Sequence, residues 1–193
     1  MLVTKDSCTN DQLEEFITKT RKIGYRDHKT VKSLEIEKTI NEKWGKFFFT
    51  FKEEKIISLS GCHEFTLFNP YNVSWIEGMR VCFRGVQLPG EDVYKGLSKY
   101  HMNSIPFREH LPLQMEWGKR LGYEKFFITT HNWYGNPANL YKGPSKEQNR
   151  TNKIMKILNK LGVVKHHGDT YIRNYLQNVW EINEEEYFRH RTS

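Results

Sequence analysis

The chain has 193 residues, of which 37% are hydrophobic, 14% aromatic and 27% charged, with a formal charge of +7. That length suits one domain, residues 1–193, with a full core, and twelve Phe, ten Tyr and five Trp offset the modest apolar fraction. No apolar run approaches the ~20 residues that cross a bilayer, and the polar stretch after Val3 lacks the apolar region of a secretory signal, so no membrane is expected and the cytoplasm is the expected compartment. Three cysteines, Cys8, Cys62 and Cys82, are odd in number and lack CxxC spacing, which argues against a disulfide framework or a cysteine zinc site.

In chain order, Asp11 to Ile23 follows the capping signal Thr9-Asn10-Asp11 and carries Leu13, Phe16, Ile17 and Ile23 on a helical stripe, with Gly24 as its stop. Val31 to Trp44 reads as a second helix through Leu34, Ile36 and Ile40. The runs Phe47 to Phe51 and Ile56 to Gly61, joined by Lys52-Glu53-Glu54-Lys55, predict a hairpin. Met79 to Val86 is a third β-rich run. Strict alternation places its Arg80, Cys82 and Arg84 on one face and Met79, Val81 and Phe83 on the other.

A loop from Glu91 to Ser104 leads to a helix from Pro106 to about Leu121, in which Pro112 either bends the helix or marks a later start. Phe126 to Thr130 is a short buried strand, and a strand–helix–strand unit favours parallel pairing of its strands. A polar insert occupies about 131–147. Asn152 to Leu161 is the last clear helix, with Ile154, Ile157, Leu158 and Leu161 on one face and Gly162 as its stop. Val163 to His166 and Gln177 to Ile182 form a final β pair around a turn at Gly168-Asp169, and 184–193 reads as a polar, solvated tail.

The positive charge favours an anionic partner, either nucleic acid or a nucleotide-bearing cofactor. Two arginines on an internal strand, Arg80 and Arg84, need partners or a ligand, which makes them candidates for binding substrate. The insert combines His131 and Trp133 with amides and Tyr141 at the exit of a strand, where ligands gather in parallel sheets. It can stack on an exposed base or pack on itself. The eight histidines include no HExxH, and His166 and His167 are adjacent, so on a strand they face opposite ways and no metal is expected.

Two stretches carry a family resemblance. Leu121-Gly122-Tyr123-Glu124-Lys125-Phe126-Phe127-Ile128-Thr129-Thr130 is similar to the helix end, Gly-Tyr turn and fifth strand of the GNAT (N-acetyltransferase) superfamily. Lys160-Leu161-Gly162-Val163 and Gln177-Asn178-Val179-Trp180-Glu181-Ile182 resemble its turn after the fourth helix and a closing strand. The resemblance covers about residues 45–183 and implies an α/β fold with a central mixed sheet flanked by helices, an acetyl-CoA or other acyl-CoA cofactor, and acyl transfer to an amine. It places the pyrophosphate loop within His101 to Arg108, which contains no glycine, so Lys99, Asn103, Ser104 and Arg108 become the cofactor-binding candidates. Asn152, at the head of the last clear helix, joins them.

Backbone N–H groups around Gln87 and Leu88 are expected to polarise the acyl carbonyl. The tyrosine that many members place on the fourth helix is Leu158 here, which leaves Tyr141 as the nearest substitute, and Glu77 or else Glu64 as the carboxylate that relays the amine proton through water. Three readings stay open: an acyltransferase acting on a small or macromolecular amine, a protein of the same fold that modifies a nucleic-acid base, and a non-catalytic binding module.

Overall fold

A computed structural model of the chain describes residues 1–22, 45–69, 74–91, 104–132, 146–172 and 175–191. Among these, the strands are β1 (Leu2–Lys5), β2 (Gly45–Lys52), β3 (Lys55–Asn69), β4 (Ser74–Gln87), β5 (Phe126–His131), β6 (Val164–Ile172) and β7 (Tyr175–Ile182). The helices are α1 (Asn10–Lys22), α2 (Leu111–Arg120), α3 (Lys146–Lys160) and α4 (Glu184–Arg191), with a π-helical turn at Pro106–His110 before α2. The strands form one mixed sheet in the order β1-β2-β3-β4-β5-β7-β6. All described pairings are antiparallel except that of β4 with β5.

Local chemistry explains most of these elements. At the head of α1, Thr9 Oγ1 accepts from the Gln12 N–H at 3.2 Å while Gln12 Oε1 accepts from the Thr9 N–H at 3.0 Å, a reciprocal cap. Leu13, Phe16 and Ile17 then bury the apolar stripe against Phe47, Phe49, Phe51 and Leu59. The β2–β3 hairpin closes on Glu53 and Glu54, both left-handed at φ 50 and 65, which matches the twist of its strands. On the other face, α2, α3 and α4 cover Met79, Val81, Phe126, Ile128, Trp180 and Ile182.

The predicted helix from Pro106 divides at Pro112. Pro112 has no N–H and its ring crowds the preceding turn, so the chain widens into a π turn in which the Leu111 N–H reaches back to Pro106 O. The α-helix then starts at Leu111 with the proline in its first turn.

Several other segments depart from expectation. Gly168 and Asp169 lie inside β6 at a register shift, paired with Val179 and Asn178, rather than in a turn. The expected tail forms α4, whose Tyr187 is fully buried and donates its hydroxyl to Phe107 O at 2.6 Å. One inward residue in a highly charged segment gives no periodic signal, which is why the helix is invisible to patterning. The N-terminus adds β1 as an edge strand on β2. The second expected helix, 31–44, and residues 133–145 of the insert lie outside the described residues.

A buried polar chain runs between the sheet and α2. Gln114 and His110 are fully buried. Gln114 Oε1 accepts from the Cys82 N–H and its Nε2 donates to Ser60 Oγ, each at 2.8 Å. In the direction that satisfies every group, Ser60 donates to His110 Nδ1 at 2.8 Å and His110 Nε2 donates to Thr50 Oγ1 at 2.7 Å. The Thr50 hydroxyl meets that of Thr4 on the edge strand at 2.9 Å.

Burial pulls the His110 imidazole from its ordinary 6.5 down to about 3. The unfolded chain therefore takes up a proton below pH 6.5 that the folded protein excludes. Stability from this group is complete above pH 6.5 and declines as pH falls toward 3, by up to ~1.4 kcal/mol per pH unit. Urea midpoints measured from pH 7 to pH 4 should fall more steeply for the wild type than for His110→Gln. Equal slopes would show that His110 titrates normally.

Candidate active site

The parallel contact between β4 and β5 is two residue pairs long, Met79 with Phe126 and Arg80 with Phe127. Beyond it β5 stays with β7, from Phe127–Glu181 to His131–Gln177, while β4 stays with β3 as far as Gln87. The two strands diverge and a slot opens between them. Its closed end is tightly built. The Met79 N–H donates to Lys125 O at 2.8 Å, and a Cβ on Gly78 would stand 2.5 Å from the Phe127 ring. A Cβ on Gly118 would stand 2.6 Å from Phe126, so the absent side chain lets α2 lie directly on the closed end.

On its other side β4 carries two bulges. Two residues of β4 oppose one of β3 between the pairs His63–Arg80 and Gly61–Phe83, and again between Gly61–Phe83 and Leu59–Val86. Each bulge contains a left-handed residue, Cys82 at φ 51 and Arg84 at φ 53. Such non-glycine conformations cost on the order of 1–3 kcal/mol each and persist only when the surroundings hold them. At Cys82 the Gln114 amide does this by taking the N–H.

The bulges correct the strict alternation expected of this strand. Val81 packs into the helix-side core, as expected, but the extra residue at Cys82 turns Phe83 to the face of Arg80. The Arg80 and Arg84 guanidinium carbons lie 4.5 and 5.2 Å from the Phe83 ring centroid. The His63 ring meets Phe83 edge-on at 4.9 Å. Cys82 instead packs against the helix layer, its thiol donating to Pro106 O at 3.5 Å and its pKa pushed up by burial, which makes it inert.

Arg80 Nη2 donates to Gln177 Oε1 at 3.3 Å, and Gln177 is the register partner of His131. The Arg80 side chain thus reaches from the closed end of the slot along the face that carries Gln177 and His131. His131 is half-buried, and burial lowers its pKa, so its imidazole is neutral at physiological pH. Thr129 lies two residues before it on the same face of β5, and among the described residues its buried Oγ1 has no hydrogen-bond partner.

The remaining expected site residues fall into other settings. Glu77 is exposed on the opposite face, beside Tyr123, which donates its hydroxyl to Glu64. That hydrogen bond, followed by burial and the nearby Glu77 charge, raises the phenol to about 12. Gln87 accepts the Ile105 N–H at 2.9 Å through Oε1 and donates to Glu91 O at 3.1 Å. The Leu88 N–H donates to Ile57 O at 2.9 Å, which ties it to the neighbouring strand rather than to the slot. Asn152 Nδ2 donates to His131 O at 3.0 Å and links α3 to β5.

At the start of the π turn, Ser104 Oγ accepts the Phe107 N–H at 3.4 Å and Ser104 O accepts the Arg108 N–H at 2.9 Å. With Ile105 bonded to Gln87 and Pro106 lacking an N–H, the backbone donors of this turn are engaged within the protein. Leu158 is buried. Lys99, Asn103, Trp133 and Tyr141 lie outside the described residues. Sequence reasoning missed Phe83, His110 and Gln114. The polar pair four apart on the buried side of one helical segment was the available signal for the last two.

A mixed sheet opened between two parallel central strands, with a bulge on the first and a helix crossing from one to the other, is the GNAT acyltransferase fold. Comparison with solved structures agrees with this. A protein assigned to the GNAT acetyltransferase family from Desulfovibrio desulfuricans superposes with a TM-score of 0.57 at 8% identity, covering 95% of this chain and 99% of that one. An aminoglycoside N(6')acetyltransferase from Legionella pneumophila superposes with a TM-score of 0.55 at 12% identity, covering 98% and 95%. An uncharacterized protein from Bacillus halodurans gives 0.57 at 10% identity, covering 99% and 88%. No family sequence model and no curated protein matches the chain.

Replacing Gln114 with Met keeps the volume but strands the Cys82 N–H in a dry site, at a cost of ~1–3 kcal/mol. Urea unfolding should show that loss, and hydrogen exchange at the Cys82 amide should accelerate more than the global change requires. Unchanged protection there would show that Gln114 does not hold the bulge.

Proposed function

We propose that this protein is an N-acyltransferase that moves an acetyl or other acyl group from acyl-CoA to an amine at the slot between β4 and β5. The divergence of β4 and β5 after Arg80 and Phe127, with His131 at its mouth, is the observation that carries this reading. When bound, acyl-CoA supplies an activated thioester carbonyl. The slot suits its linear arm: β4 from Val81 to Gln87 has β3 on one side and faces the opening on the other, and Gly85 offers no side chain beside Pro106. The pyrophosphate has a different setting from the usual backbone cradle, because the N–H groups of residues 105, 107 and 108 are engaged internally. Its charge would fall to side chains, Arg108 and Ser104 with Lys99 and Asn103.

Arg80, Gln177 and Trp133 would orient the acceptor, and the neutral His131 imidazole would take the amine proton directly. Glu77, on the other face, would act only through water. Tyr141 is the proposed donor of a proton to the departing sulphur, and Asn152 would hold the end of β5 in place through His131 O. The cytoplasm is the proposed compartment.

Calorimetry with acetyl-CoA and with CoA tests the cofactor. Arg108→Ala should weaken both by about tenfold, the scale of one charge-assisted hydrogen bond. Absence of heat and of a thermal shift at millimolar cofactor would leave a non-catalytic binding module. Once turnover is detected, kcat/KM should fall with acidity along a limb centred below the ordinary histidine value of 6.5. That limb should disappear in His131→Gln, and its survival would assign the proton to another group.

A further inference from the structure

The outer face of α3 carries charge that the described residues leave without a counter-ion. The helix turns Ile154, Met155 and Leu158 into the core. Lys153, Lys156 and Lys160, three and four residues apart, therefore share the opposite face, and all three are exposed. No residue from Asn152 to Gly168 is acidic. Among the described residues none of the three lysines enters an ion pair, whereas Lys19, Lys46, Lys52 and Lys119 each meet a carboxylate. The acids on adjoining elements are largely taken up elsewhere. Glu186 pairs with Arg189 and His190, Glu184 with Lys119 and Glu181 with His167, while Asp169 accepts from Asn132. Exposed Glu185, at the head of α4, is one charge against three.

Lys153 and Lys160 stand ~10 Å apart along a rigid helix, at 1.5 Å per residue. Like charges held that close repel one another and favour an anionic partner of matching length. The composition of the face selects among anions. Its exposed apolar groups are Ile157 and Leu161, at 36% and 39%, and the apolar side of the helix is committed to the core, so α3 cannot sink into a lipid surface as an amphipathic helix does. Lysine point charges without an aromatic anchor are a poor basis for a protein interface. Because α3 contains no aromatic residue, an unpaired base finds nothing on it to stack against. A straight row of lysines against a regular row of phosphates meets none of these objections, and backbone contact needs no reading of bases.

We propose that the outer face of α3 docks on the phosphate backbone of double-stranded nucleic acid, without sequence preference, through Lys153, Lys156 and Lys160. This does not rest on the acyltransferase reading. Its connection to the slot is Asn152 on the same helix, which donates to His131 O at 3.0 Å. A duplex on α3 thus lies one helix diameter, ~10–12 Å, from the β5 side of the slot.

Fluorescence anisotropy of the full chain with a short DNA duplex of mixed sequence, followed over a salt series, tests the docking face. Binding should weaken with salt along a log–log slope of about −3, close to one unit for each lysine–phosphate contact. Lys153→Gln/Lys156→Gln/Lys160→Gln should lose ~tenfold or more in affinity at low salt and most of that slope, with Tm unchanged. Lys5→Gln/Lys55→Gln/Lys125→Gln removes the same charge from exposed lysines on or beside other strands and should keep most of the affinity.

Absence of duplex binding at low salt, or equal losses in the two triple variants, would overturn the proposal. So would tighter binding to the single strand than to the duplex, or α3-dependent binding to phosphatidylserine vesicles or polyglutamate that exceeds binding to the duplex. If acetyl-CoA fails to bind while the duplex still separates the two variants, the acyltransferase reading falls and the docking face stands. If acetyl-CoA binds and the duplex does not, the docking face falls alone.

Discussion

Everything around the slot depends on how short the parallel contact between β4 and β5 is. Met79–Phe126 and Arg80–Phe127 hold the strands together, and the geometry forces them apart immediately afterwards. The contact survives because two positions lack a side chain. Gly78 admits the Phe127 ring from one face, and Gly118 admits Phe126 and Met79 from the other. A methyl group at either place would push β5 or α2 away and break the short contact that closes the narrow end of the slot. On the far side, the β4 bulges shorten that strand relative to β3 and bend it away, so the divergence is built into the backbone rather than wedged open by a side chain.

The bulges need support, and it comes from the polar interior. Gln114, Ser60, His110 and Thr50 form a hydrogen-bonded chain from the Cys82 N–H to the edge strand, with every named member satisfied. A fully satisfied buried chain is more directional than an apolar core of the same volume. It fixes where α2 sits relative to β2 and β3, and so where the first turn of the crossover lies against β4. Tyr187 of α4 fastens the same turn from the other side through Phe107 O. The π turn at Pro106–His110 is thus held at both ends, with Gln87 bonded to the Ile105 N–H at its head.

The cost of that rigidity is visible in the backbone donors. In this chain the N–H groups that begin the crossover helix bond to Ser104 and Gln87. An anion arriving there meets side-chain charge and few backbone dipoles, whereas the guanidinium carbons of Arg80 and Arg84 lie 4.5 and 5.2 Å from the Phe83 ring centroid on β4. The two ends of the site are therefore electrostatically unlike those of a helix-terminus phosphate site.

Much of this was legible in the sequence. The stripe Leu13, Phe16 and Ile17 with the cap at Thr9, the aromatic run 47–51, and the strand–helix–strand unit ending at Phe126 are local signals, because 3.6- and 2-residue periods follow from burial on one face. The resemblance around Gly122-Tyr123 led to the fold, and the charges on β4 marked Arg80 and Arg84. What periodicity cannot carry is a break in itself. A single extra residue at Cys82 turns Phe83 to the face of the arginines, and an inserted residue near Gly168 keeps β6 running through what looked like a turn. Likewise Tyr187, His110 and Gln114 read as ordinary residues until the sheet brings Phe107, Ser60, Thr50 and Cys82 against them. Among the described residues the sequence by itself determined most of the strands and helices, β1 and α4 excepted, and where charge is concentrated, because those depend on neighbours along the chain. The faces of β4, the length of the parallel contact and the partners of the buried polar groups were decided only by the tertiary structure, because each depends on groups distant in sequence that meet only when the sheet closes.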